Sequence, residues 1–214
     1  METIKKIVNQ IIDIGSLENK TTVFLIGNTT KVEDTEFYLS PIRNYNQIVV
    51  AGAIVFGEGV AKKIAKIIDG LVDYVFVDSE KKILDKHSVS TTPGNIERAV
   101  REIVVNSTLI SYKANDLTVD AADSFIVEYF SHDIASIGGK KTAVIGAGNI
   151  GSKIAIKLVE RGSDVSLYRR DIEKLNLAVD YINSTKSQYT IANAIASSSV
   201  SEACRGADIL IGLT

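Results

Sequence analysis

Residues 142–151, Thr-Ala-Val-Ile-Gly-Ala-Gly-Asn-Ile-Gly, decide how the second half of this 214-residue chain folds. An apolar strand runs directly into Gly146-x-Gly148-x-x-Gly151. A helical pattern, Ser152–Arg161, follows, with Ile150, Ile154, Leu158 and Val159 on one stripe and Gly162 where a C-terminal cap belongs. The next strand, Asp164–Tyr168, comes directly after. The three glycines do different things. Gly146 allows a tight turn, Gly148 lets the backbone approach a pyrophosphate closely, and Gly151 lets the helix pack on the sheet. Ala147, Asn149 and Ile150 complete the loop and first turn, whose N–H groups and positive dipole end suit phosphate. The strand–turn–helix setting predicts a dinucleotide site.

The residues after the second strand choose the cofactor. A carboxylate roughly 20 residues past the glycines would bond the ribose 2′-hydroxyl of NAD. Here Tyr168, Arg169 and Arg170 occupy that place. Arginine offers a planar fork of donors for phosphate, so the expected cofactor is NADP, with Arg169 and Arg170 around the 2′-phosphate and Tyr168 beside them among the cofactor-binding residues. Asp171 is read as the cap of the next helix.

Alternation of strands and helices continues to the end of the chain. The pattern predicts strands at 142–146, 164–168, 189–195 and 208–213, with helices at 150–161, 171–183 and 199–205. This argues for a parallel sheet with helices on both faces. Only the first half and the start of the second half of a full dinucleotide fold are present, so the domain is expected to be incomplete, with an exposed edge strand.

The first half alternates in the same way, with helix 2–14, strand Thr22–Ile26, strand Gln47–Ala51, helix Gly57–Asp69 and strand Tyr74–Val77. Asp78 is read as a strand-end cap for a helix at 79–86. A strand–turn–strand is expected at 103–112 and 117–119, around Ala114-Asn115-Asp116. The fold class is therefore α/β, two domains with parallel sheets, the second of Rossmann type. The expected division is a substrate domain over 1–119, a bridging helix over 120–137, and a dinucleotide-binding domain over 138–214, with a substrate cleft between them.

With 45% hydrophobic and 23% charged residues the chain can bury a core, and a net charge of −2 gives no electrostatic case for nucleic acid. No apolar run approaches a membrane span, and no export signal is apparent, so a cytoplasmic protein is expected. The one cysteine, Cys204, rules out an internal disulfide framework and is read as packing. A homodimer is the base-rate expectation.

Three segments together resemble the NADP-binding domain shared by shikimate dehydrogenases, glutamyl-tRNA reductases and methylene-tetrahydromethanopterin dehydrogenases. They are Gly139-Lys-Lys-Thr-Ala-Val-Ile-Gly-Ala-Gly148, Arg169, and Gly206-Ala-Asp-Ile-Leu-Ile211. In the first half, Ile48–Ala53 with Gly57-Glu58-Gly59, Val77-Asp78-Ser79 and Thr118–Phe125 resemble the pterin dehydrogenases, although the chain has extra residues between Ser79 and Thr118. Ile26-Gly27-Asn28, Leu39-Ser40-Pro41 and Asn106–Leu109 resemble shikimate dehydrogenases, in which Asp120 would fall near the catalytic aspartate. Their Pro-x-Lys motif is absent, as is the first-domain cysteine nucleophile of glutamyl-tRNA reductases.

The resemblance implies an NADP-dependent hydride transfer to or from a small-molecule substrate, with a methylene-tetrahydropterin (tetrahydromethanopterin or tetrahydrofolate) first among substrates and one-carbon metabolism as the setting. A shikimate- or quinate-type oxidoreductase and a non-catalytic NADP-binding regulatory module are the alternatives. Catalytic residues are not evident. Asp120 and Asp123 are the candidates beside the expected cleft, with helix capping as their structural role. His87 and His132 sit in polar settings that need no catalytic explanation, and no cluster has metal-ligand spacing. Oxidation of a methylene-pterin moves only a hydride, which suits a chain without an acid–base pair.

Overall fold

Two sheets organise the chain, and the computed structural model describes residues 1–29, 35–81 and 94–213. The chain forms two units, Met1–Ala114 and Asn115–Thr214. The element order is α1 (Glu2–Glu18), β1 (Thr21–Asn28), β2 (Phe37–Asn44), β3 (Ile48–Val55), α2 (Glu58–Ile68), β4 (Tyr74–Asp78), α3 (Ile96–Arg101) and β5 (Thr108–Tyr112). The second unit holds α4 (Ala114–Tyr129), β6 (Lys141–Ile145), α5 (Asn149–Glu160), β7 (Asp164–Tyr168), α6 (Ile172–Thr185), β8 (Ala194–Ala196), α7 (Val200–Cys204) and β9 (Ile209–Gly212).

The first sheet has the order β2-β3-β1-β4-β5. All neighbours are parallel except β2, which runs antiparallel along the edge. The β2–β3 register shifts between Ser40 and Arg43, across Pro41. Proline has no N–H to give to a ladder, so it sits at an edge and in an irregularity. Leu39-Ser40-Pro41, which resembles a segment of shikimate dehydrogenases, thus lies in a strand.

Both helical crossovers, β3-α2-β4 and β4-α3-β5, run in the same direction. Right-handedness therefore puts α2 and α3 on one face, and α1 packs there against α2. Phe24, Ile26, Val49, Ala51, Val75 and Val77 are buried beneath them. Each large side chain buried this way contributes roughly 1.5–3 kcal/mol. The strands are apolar on the other face too, where Val23, Leu25, Ile48, Val50, Tyr74, Phe76 and Ile110 line a shallow concavity of about 500 Å³. Among the described residues of this unit, no helix packs there. Helices on both faces, expected for the second half from its alternating pattern, are found in the second sheet.

The second sheet is all parallel, with the order β8-β7-β6-β9. The crossovers through α5 and α6 run one way and that through α7 runs back, so handedness puts α7 on the opposite face. The core is built from Val144, Ile154, Leu158, Val165, Leu167, Leu175 and Ile182, with Val119 and Ile137 closing it.

Three expectations change. Ala114-Asn115-Asp116 is the first turn of α4 rather than a loop between strands, and 117–119 is helical. The long helix therefore covers 114–129, not 120–137, and residues 130–139 form successive turns. The strand expected at 189–195 shrinks to Ala194–Ala196. The Lys186 ammonium ties the preceding loop by donating to the Thr190 and Ala192 carbonyls and to Asn193 Oδ1 at 3.1, 2.5 and 2.8 Å. Asp78 is almost fully buried at the end of β4, where its Oδ1 accepts the Glu80 N–H at 3.0 Å. The helix expected at 79–86 reaches outside the described residues, as does His87. Burial pushes the neighbouring Tyr112 hydroxyl up to about 12, with Asp78 and Glu80 adding to the shift. No helix among the described residues is long and apolar enough to cross a membrane.

Candidate functional site

At the carboxyl edge of the second sheet, the chain leaves β6 toward β7 on one side and later returns to β9 on the other. Ligands in open α/β sheets bind at such a switch point. A cleft of about 680 Å³ opens there, lined by Ile145, Gly146, Gly148, Asn149, Ile150, Gly151, Tyr168, Arg169, Arg170, Asp171, Asn115 and Leu213. The size suits an extended small molecule.

The glycine loop is held from both sides. The N–H groups of Gly146 and Ala147 donate to the Tyr168 carbonyl at 2.9 and 3.3 Å, and Leu213 N–H donates to Ile145 O at 2.8 Å. Gly146 has φ +108°, a region that side chains avoid, and a Cβ there would lie 2.1 Å from the Leu213 carbonyl oxygen. A Cβ on Gly151 would lie 2.3 Å from the Gly146 carbonyl oxygen. Gly148 differs: it lines the cleft, and a Cβ there would meet no protein atom within 4 Å. Two glycines thus close the turn, and the third keeps the cradle open.

Helix α5 begins at this loop without a side-chain cap and without an acid in its first turn. By contrast, Asn95, Asp171 and Ser199 cap α3, α6 and α7 through their side chains. The leading N–H groups of α5 are therefore left to face the cleft, where the dipole favours an anion.

Arg169 lies across the loop, its Nη1 donating to the Ala147 carbonyl at 3.1 Å. This leaves the rest of its guanidinium for a ligand. Arg170 is exposed beside it. Asp171 caps α6, accepting Lys174 N–H at 3.1 Å. That N–H and the Lys174 ammonium hold its carboxyl below the usual range. The acid nearest the β7 terminus is thus already committed.

Asp120 and Asp123, the catalytic candidates, are not among the residues that line this nucleotide cleft. Asp123 is 7% exposed and accepts from Arg161 Nε and Nη2, both at 2.7 Å. Asp120 pairs with Lys157 at 3.1 Å. With Asp116 paired to Lys153, the three aspartates form a ladder from α4 to α5. The i, i+4, i+7 spacing puts them on one face of α4, which turns toward α5. They fix α4 against α5. His132 is exposed in the turns after α4. Among the described residues no His, Cys, Asp and Glu group has a geometry that could hold a metal. Asn115 and Leu213 join the site only in three dimensions, and no local signal marks either.

Residues 141–212, about a third of the chain, match the family described as NADP oxidoreductase, coenzyme F420-dependent. These residues carry the Rossmann-type fold of NAD(P)-dependent oxidoreductases. No curated protein matches the chain at a significant level. Similar solved structures include a dipicolinate synthase chain from Bacillus halodurans, 13% identical, covering 91% of this chain and 74% of that one, TM-score 0.36. L-tryptophan dehydrogenase from Nostoc punctiforme is 10% identical, covering 91% and 56%, TM-score 0.45. Ornithine transcarbamoylase from Giardia lamblia is 12% identical, covering 97% and 70%, TM-score 0.46. Likenesses at this level carry no activity over to this chain.

Proposed function

We propose that this chain is an NADP-dependent oxidoreductase that moves a hydride between a small-molecule substrate and the cofactor. The observation that carries the reading is the pairing of an uncapped α5 terminus with Arg169 laid across the glycine loop. The fit rests on Gly148, whose open side would accept a pyrophosphate where any side chain would intrude. When bound, the nicotinamide supplies the hydride or takes it up. The α5 N–H groups hold the pyrophosphate, and Arg169 and Arg170 hold the 2′-phosphate. Asp171 is kept from competing by its cap. The matched family's description, an NADP oxidoreductase, supports a nicotinamide cofactor.

For the substrate we favour a methylene-tetrahydropterin. Asp120 and Asp123 are each paired with a cation of α5, and a methylene-pterin needs no side chain to move a proton. The family description also names coenzyme F420, which belongs in the same assays as a hydride partner.

Arg169→Ala tests the reading. It should weaken NADPH binding about tenfold, as loss of a charge-assisted hydrogen bond implies, and leave NADH binding nearly unchanged. Fluorescence titration of both nucleotides measures this. Equal losses for the two would show that the 2′-phosphate lies elsewhere. Turnover with methylene-tetrahydropterins, F420, and shikimate or quinate then separates the pterin reading from the shikimate-like one. NADPH binding with no turnover of any of them would favour a regulatory module.

A further inference from the structure

The ladder between α4 and α5 has a geometric consequence for the nucleotide site. Its partners rise together along both helices: Asp116 with Lys153, Asp120 with Lys157 and Asp123 with Arg161. Helices paired in that order run parallel, so both begin at the same end of the unit. The α5 end is the phosphate cradle. The α4 end brings Asn115, half-buried in the first turn, into the lining of the same cleft. Two helix N-termini therefore converge on one cavity, and each favours negative charge there. The acid in the first turn of α4, Asp116, is paired with Lys153 and does not oppose an anion alone.

We infer that Asn115 is a further cofactor-binding residue, its carboxamide N–H donating to a phosphate oxygen of the bound dinucleotide. This rests on the nucleotide reading of the cleft. An amide is the suitable group: it donates without adding charge, and it can follow a ligand oxygen that glycine-loop N–H groups do not reach. The aspartate ladder is then what holds this donor in register with α5, which gives Asp116, Asp120 and Asp123 a part in binding through position alone.

The test uses the full chain with Asn115→Ala and Asn115→Asp, titrated with NADPH and melted in parallel. Loss of one hydrogen bond should weaken NADPH about fivefold in the alanine variant. The aspartate variant should lose more, roughly 30-fold, because a carboxylate then faces phosphate, and the loss should shrink as salt rises. A residue that serves only to start α4 gives the opposite pattern. Aspartate is as good as asparagine at a helix N-terminus, so Asn115→Asp would melt and bind as the parent does. A parent chain that binds NADPH while both variants bind it equally overturns the assignment of Asn115 alone. A parent that binds neither NADPH nor NADH overturns the nucleotide reading, and this inference with it.

Discussion

Gly148→Ala should weaken NADPH binding about 100-fold while the second unit stays folded. The backbone at Gly148, φ −87° and ψ −159°, is one that alanine adopts without strain. Its Cβ would meet no protein atom within 4 Å. The cost to stability is then at most ~1 kcal/mol, the difference between glycine and alanine at a helix N-cap. The methyl group instead occupies the place where a pyrophosphate approaches the backbone. Two charge-assisted hydrogen bonds from the α5 terminus lengthen or break, and 100-fold corresponds to ~2.7 kcal/mol.

Gly146→Ala and Gly151→Ala should behave differently. Each puts a Cβ within 2.1–2.3 Å of a backbone carbonyl oxygen, and Gly146 adds a positive φ. Strain and overpacking together cost about 3–5 kcal/mol, which takes most of the stability of a domain near the low end of the ordinary range. Thermal melts with NADPH titrations distinguish the cases. Loss of binding in Gly148→Ala through unfolding would show that the loop is not shaped by a ligand, and unchanged binding would remove the pyrophosphate from this cleft.

These glycines were readable because each answers a steric demand made within a few residues of itself. The same holds for the Asp171 cap, three residues from the N–H it accepts. The start of α4 was not readable. Ala114-Asn115-Asp116 has the composition of a turn, and what holds it helical beside α5 lies 37 residues away, in the pairing of Asp116 with Lys153. Asn115 was hidden for the same reason: its place in the cleft follows from the direction of a helix pair. The edge strand β2 contains Pro41 and, among the described residues, pairs with β3 alone, so local propensity argues against it. Among the described residues, the helical cover of the first sheet lies on one side, which follows from the directions of two crossovers and is recorded by no local pattern. Within the cofactor site, then, the glycine loop and the arginines were visible in the sequence, and the contribution of α4 was not.

The ladder also makes the second large prediction, Asp123→Ala. The carboxylate is 7% exposed and receives two hydrogen bonds from Arg161, whose own side chain is 42% exposed. Breaking a fully buried pair costs about 3–5 kcal/mol. Arg161 can regain water once its partner is gone, so the loss here should be about 2–3 kcal/mol. Asp120→Ala should cost at most ~1 kcal/mol, since that aspartate is 62% exposed. The pair also sets a pH dependence. Arg161 holds the Asp123 carboxyl below its usual range. A carboxyl whose folded value is depressed contributes stability that is fully present above the unfolded value, about 3.9, and is lost as pH falls through the folded value. At pH 7 the parent should therefore exceed Asp123→Asn in urea midpoint, and the gap should narrow below about pH 4. Urea unfolding of both proteins at about pH 7 and about pH 3 measures this. A gap of the same size at both values would show that Asp123 acts through packing and not through its charge. If Asp123→Ala were instead to keep its stability and lose turnover, the aspartate would return to the reaction as a catalytic candidate, and α4 would carry chemistry as well as register.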